Sequence, residues 1–246
     1  MYYQPLPWFY ELHMLQIKLL NKLSNCLTLI SSFRLNNKPT IEAIQTLFLS
    51  TTIIQSICGL ILLWNTNKLG LITYLIIRGL LTNWIHEDAI SDCSDSSTKQ
   101  NITTRLELLK QPTIGAYGCC ILTSTILLEF TLLSNIKINN LPTTCTICSS
   151  IGYFSMVCHW YLIPHAYNSQ HYQPKLSILL TWLPLLLITI LLQTNWIQTI
   201  LLLMSNLLLL LTFNLWSLHK FGGHTGNTIG ALKKLSEILS LFTMTN

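Results

Sequence analysis

Leucines at positions 12, 15, 19, 23 and 27 recur at helical spacing, with polar residues between them. This stripe predicts an amphipathic helix over residues 9–33, lying on a membrane or against a bundle. Lys38-Pro39 breaks it, and the pattern then changes from a stripe to solid apolar runs near 41–64, 70–85, 114–134, 144–163, 177–192 and 197–216. A bilayer crossing needs roughly 20 mostly apolar residues, so the runs predict six crossings. The runs at 70–85 and 177–192 are short and are expected to lie less perpendicular or to be sheltered by neighbours. Residues 228–243 continue a helical period, but Lys233, Lys234 and Glu237 make that helix amphipathic. It is expected at the interface or partly inserted. The pattern therefore predicts an all-α, polytopic membrane helix bundle of about six crossings, with amphipathic N-terminal and C-terminal helices. A single integral-membrane domain spans 1–246, with 1–40 as the amphipathic N-terminal region and 41–246 as the body.

Composition supports this. Half of the residues are hydrophobic and 9% are charged, against about 25% charged in a soluble domain. The net charge of +5 is spread out with no basic run, which excludes nucleic acid as a partner. The eight cysteines are scattered, several in apolar runs where a thiol acts as a small hydrophobe. Cys145 and Cys148 form one Cys-x-x-Cys with no second pair, which is too few ligands for a zinc site. The N-terminus does not read as a secretory signal, since Lys18, Asn21 and Lys22 interrupt it. With the N-terminus in the cytoplasm, eleven Lys and Arg fall on that side and only Lys68 and Lys137 on the other. That bias orients the chain. It also places an acidic stretch after the second run and a glycine-rich stretch after the last run on one cytoplasmic face.

The acidic stretch is HEDAISDCSD, His86 to Asp95, and it holds all the aspartates of the chain: Asp88, Asp92 and Asp95. Glu87 adds a fourth carboxylate. Spacing of i, i+4, i+7 sets the three aspartates within about 60° around a helix. Mutual repulsion disfavours such a stripe unless cations sit among the acids. Magnesium takes oxygen ligands from a few carboxylates and leaves positions for water and phosphates. The plainer alternative is a solvated acidic loop. His86 has the chemistry of a general base near neutral pH, or of a polar anchor at the membrane boundary.

Two further stretches carry potential chemistry. FGGHTGNTIGA, Phe221 to Ala231, holds Gly222, Gly223, Gly226 and Gly230. Such a turn opening a helix offers backbone N–H groups to phosphate oxygens, or is simply a flexible turn with a tightly packed helix start. QPTIGAYG, Gln111 to Gly118, reads first as a helix start with close helix packing. Arg78 lies inside a crossing, where it must face the interior or snorkel, and it is expected to pair with a carboxylate or a phosphate. His159, His165 and His171 recur every six residues, on different helical faces, which disfavours a metal site. Trp8, Trp64, Trp84, Trp160 and Trp196 lie near segment ends, as interfacial indoles do.

Together the three stretches resemble the adenosylcobinamide-GDP ribazoletransferase family, also called cobalamin-5′-phosphate synthase. Its members carry a pattern close to H-x-D-G-x-A-D-x-x-D, which His86, Asp88, Asp92 and Asp95 match in order. They then carry R-I-G-A-F-G, similar to Ile114–Gly118 here, and G-G-x-T-G-D-x-x-G-A before a short helix, similar to GGHTGNTIGA before LKKLSEIL. CLTLISSF, Cys26 to Phe33, stands where the family has an F-L-T-R-x-P-like segment. The resemblance covers most of residues 20–243.

It implies a polytopic enzyme of a bacterial-type inner membrane with its site facing the cytoplasm. That enzyme joins adenosylcobinamide-GDP to α-ribazole or its 5′-phosphate, giving cobalamin or its 5′-phosphate plus GMP. The implied cofactor is Mg²⁺, held by Asp88, Asp92 and Asp95, with His86 among the catalytic residues. Arg78, Gly222, Gly223, Thr225, Gly226 and Asn227 are the implied substrate-binding residues. The two substrates and the lipid bilayer are the implied partners, and a second copy of the chain or other cobalamin-assembly enzymes stay open. Four positions depart from the pattern: Ala89 for a glycine, Thr113 and Leu29 for arginines, and Asn227 for an aspartate. The departures leave room for a chain retained as a scaffold. A CDP-alcohol phosphotransferase also uses aspartates on membrane helices, but its D-G-x-x-A-R core is missing. A transporter would want polar or broken helices at mid-membrane, which the leucine-dense runs 177–192 and 197–216 do not offer.

Overall fold

Each apolar run from residue 70 onward becomes a helix. The computed structural model describes residues 68–167, 174–191 and 193–245. The expected helix at 9–33, the run at 41–64 and His171 lie outside the described residues. In chain order the helices are α1 (Lys68–Thr82), α2 (Ile85–Ser97), α3 (Ile102–Leu108), α4 (Ala116–Asn135), α5 (Leu141–Leu162), α6 (Leu176–Leu191), α7 (Trp196–Phe221) and α8 (Gly226–Thr245). A single 3₁₀ turn, Ile138–Asn140, leads into α5. The described part of the chain is all-α.

The helix ends follow local chemistry. The Asn195 side chain accepts from Gln198 N at 2.8 Å and caps α7, which stops at Gly222 with φ of +76°, a left-handed turn that suits glycine. Thr225 and Thr228 cap α8 reciprocally, each hydroxyl accepting from the other residue's N–H, at 3.2 and 2.8 Å. Between α1 and α2 the chain turns through Asn83 and Trp84, both at positive φ, which is strained for a bulky residue such as Trp84. Gly79 makes room for it: a Cβ there would fall 2.4 Å from the indole.

Two of the described helices, α4 and α7, are long and apolar enough to cross a membrane. Both turn leucines outward, among them Leu127 on α4 and Leu208 and Leu215 on α7. At 15 and 16 residues, α1 and α6 fall short of the length a perpendicular crossing needs.

The last helix departs from expectation. Helix α8 does not lie on an interface. It runs through the middle of the bundle against α2, α4, α5 and α7, and buries Lys233, Lys234, Ser236, Glu237 and Ser240. Most of its polar side chains find partners within the protein. Ser236 meets Ser155 at 3.0 Å, Asn206 donates to Ser240 Oγ at 3.0 Å, and the lysines are ion-paired with glutamates. Two of the eleven basic residues counted toward the cytoplasmic side are thus interior groups, which narrows that bias without reversing it.

Candidate active site

Helix α2 carries the acidic stretch straight out of the α1 turn, so the aspartates do fall on a helix. They do not share one task. Asp95 turns its two carboxylate oxygens to the start of α4, accepting from Gly115 N at 2.6 Å and Gly118 N at 2.7 Å. Both glycines are needed for the seat. A Cβ at Gly115 would lie 2.5 Å from Asp95 Oδ1, and one at Gly118 would lie 2.2 Å from Asp95 Oδ2 and 2.6 Å from Ser91 Oγ. The stretch read as a helix start with close packing is that, and Asp95 from another helix is its cap.

Asp92, one turn earlier, meets the glycine stretch: Asn227 Nδ2 donates to Asp92 Oδ2 at 2.8 Å and lies 3.4 Å from Leu109 O. Burial, followed by the charge of Asp88, pushes the Asp92 carboxyl up to about 6. Asp88 is exposed. The three separated stretches therefore converge, with Asp92 on Asn227 and Asp95 on Gly115 and Gly118.

Among the described residues, no three His, Cys, Asp or Glu side chains gather around one point that would hold an ion. The donor set at Asp88 and Asp92 nevertheless fits a hard cation. Its oxygens are carboxylate, and two acids one turn apart raise each other's need for positive charge. Asp95, with both oxygens on backbone N–H groups, is an anchor in this arrangement.

The glycine stretch is built to approach other backbone. His224 N donates to Pro164 O at 2.8 Å and Ala166 N to His224 O at 3.0 Å, so the turn pairs with the segment after α5. Gly223 sits against it, where a Cβ would meet Pro164 O at 2.3 Å. Thr225 is buried as the α8 cap, while Gly226 is exposed, with open space where a side chain would be. Gly230 lets α2 and α8 touch: its Cβ would fall 2.8 Å from the methyl of Ala89. The alanine at position 89 is accommodated by the glycine across from it.

Two expected site residues are elsewhere. His86 is buried, its Nε2 3.2 Å from the Tyr153 hydroxyl, and it does not share the exposed face of Asp88. Arg78 is buried as well and takes the carboxylate of its two expected partners: it pairs with Glu129 through both terminal nitrogens and reaches Glu87 at 3.1 Å. Lys234 completes the group at 2.7 Å from both Glu87 and Glu129. Sequence reasoning missed this network. The available signal was Glu129, a lone acid in the middle of an apolar helix.

A family model described as cobalamin-5-phosphate synthase matches residues 33–245. Similar curated proteins carry the name adenosylcobinamide-GDP ribazoletransferase. That of Shewanella piezotolerans is 25% identical over 191 residues, 72% of each chain. That of Pseudoalteromonas atlantica is 28% identical over 174 residues, 67% of this chain and 65% of its own. That of Clostridium kluyveri is 25% identical over 199 residues, 77% of each chain. No solved structure matches.

Proposed function

The chain belongs to the cobalamin-5-phosphate synthase family of transferases, and from that premise we propose that it joins adenosylcobinamide-GDP to α-ribazole or its 5′-phosphate and releases GMP. The observation that carries this reading is the meeting of Asp92 with Asn227 at 2.8 Å. It brings a carboxylate pair to the start of a glycine-rich helix, and so sets a cation-seeking group beside an anion-seeking one.

The chemistry needed is attack of a ribose hydroxyl on a diphosphate with departure of GMP. Asp88 and Asp92 are the residues to hold Mg²⁺, with Asn227 in contact with Asp92. A bound Mg²⁺ would supply neutralisation of the diphosphate charge. The exposed N-terminus of α8 at Gly226 offers N–H groups and a positive dipole end to phosphate oxygens. Asp95 fixes α2 against α4, and His86 holds α2 against α5 through Tyr153. A location in a bacterial-type inner membrane with this face toward the cytoplasm is part of the proposal.

The test is purified protein in lipid with both substrates and Mg²⁺. GMP and cobalamin 5′-phosphate should form together, and removal of either substrate or chelation of Mg²⁺ should stop both. GMP release without the ribazole substrate, or none with everything present, overturns the assignment.

A further inference from the structure

A cavity of about 10 Å³ lies inside the bundle between α1, α4, α5 and α8, with Tyr74, Arg78, Glu129, Cys148, Ser149 and Glu237 on its wall. That is about the volume one water molecule requires. Two of the wall residues bring buried polar atoms that have no hydrogen-bond partner, Ser149 Oγ and Glu237 Oε2. Ser149 is 3% exposed and Glu237 2%. Leaving a buried hydroxyl and a buried carboxylate oxygen unsatisfied is unfavourable in any protein interior. The void and the two orphans are therefore one problem with one answer.

We infer that this cavity is a binding site for a single water molecule, which bridges Ser149 Oγ and Glu237 Oε2. The chemistry selects water over an ion. The interior already balances itself, with Arg78, Lys233 and Lys234 against Glu87, Glu129 and Glu237, so a charged guest would be uncompensated. A carboxylate oxygen needs a donor and a hydroxyl can either give or accept, and water serves both. The site exists because α8 approaches α5 closely: at Gly152, one turn from Ser149, a Cβ would lie 2.9 Å from Glu237 Cγ and 2.9 Å from Lys233 O. Glu237 binds Lys233 through Oε1 at 2.7 Å and leaves Oε2 for the cavity. Arg78 and Glu129 also line the cavity. The water thus ties Ser149 on α5 to the Lys233–Glu237 pair on α8.

The test is a cryo-EM map of the full chain in lipid nanodiscs, at a resolution where other enclosed waters are visible, for the native protein and Ser149→Ala. A native peak within about 3 Å of both atoms is expected, lost or displaced in Ser149→Ala while the helices stay in place. An empty cavity, a direct Ser149–Glu237 hydrogen bond with the void closed, or a peak unchanged in Ser149→Ala would each overturn the bridge.

Discussion

Lys234 and Glu87 stand 147 positions apart in the chain and meet at 2.7 Å in the interior. This pair joins the last helix to the residue just before Asp88, and Lys234 holds Glu129 at the same distance. Removing one member of a buried charge group leaves the others uncompensated, which typically destabilises by about 3–5 kcal/mol. Lys234→Met should therefore lower the thermal midpoint strongly in detergent or lipid. Adding Glu87→Gln should recover part of the loss. A double variant no more stable than Lys234→Met would show that the pair is not coupled.

Asp95 is expected to act as an anchor. Asp95→Ala deprives the N–H groups of Gly115 and Gly118 of their acceptor, with a loss of about 1–3 kcal/mol. Gly118→Ala should imitate it, because its new methyl group would occupy the place of the Asp95 carboxylate. In both variants Mg²⁺ affinity, measured by calorimetry, should change far less than stability does. A loss of Mg²⁺ affinity matching that of Asp88→Asn would instead make Asp95 a metal ligand.

Asp92 predicts a pH dependence with a definite sign. Its carboxyl sits near 6 in the folded chain, above the ordinary value of about 3.9. A raised acid favours folding below its ordinary value and loses that contribution as pH rises through about 6. Asp92→Asn should consequently raise the thermal midpoint above pH 6 in the presence of a chelator, and the gain should vanish near pH 4. The same variant, like Asp88→Asn, should abolish turnover while remaining folded in lipid. A midpoint difference that does not vary with pH would place the Asp92 carboxyl at its ordinary value.

The convergence of the stretches, taken with the proposed cytoplasmic orientation, predicts sidedness. Single cysteines at Lys99 and His219, both exposed, should react with an impermeant maleimide from the cytoplasmic side. One at Asn139 should react only from the other side. Opposite labelling of residues 99 and 219 would separate the acidic end of α2 from the glycine turn and break the single-site arrangement.

Much of this architecture is legible in the chain, and the part that is not has a physical reason. Solid apolar runs give helix positions to within a few residues, as with 114–134 against α4, because length and hydrophobicity act locally. The i, i+4, i+7 aspartates correctly announced a helix. Their division of labour was hidden, because Asp95's partners are backbone N–H groups twenty positions away, and a backbone donor leaves no mark in side-chain chemistry. The period of residues 228–243 misled for a related reason. Lysines at 233 and 234 read as a wet face, but Lys234 is paired with the distant Glu87 and Glu129 and Lys233 with Glu237, and both are interior residues.

Asn227 offers the sharpest test of whether the acidic pair holds a cation. Its amide now donates to Asp92, so Asn227→Asp replaces a donor by a second carboxylate at a contact of 2.8 Å. Without metal, three acids then face one another across α2 and α8. The thermal midpoint should fall in chelator at pH 8 and recover toward that of the native protein near pH 5, where sharing a proton relieves the repulsion. With Mg²⁺ the added charge becomes a ligand, and a charged oxygen serves a hard cation better than an amide. The midpoint should then climb more steeply with Mg²⁺ than it does in the native chain, and half-maximal turnover should need less metal. If the cation does not lie between Asp92 and residue 227, Mg²⁺ would leave the variant as unstable as chelator does. That result would move the metal away from α8 and reduce Asn227 to a strut between two helices.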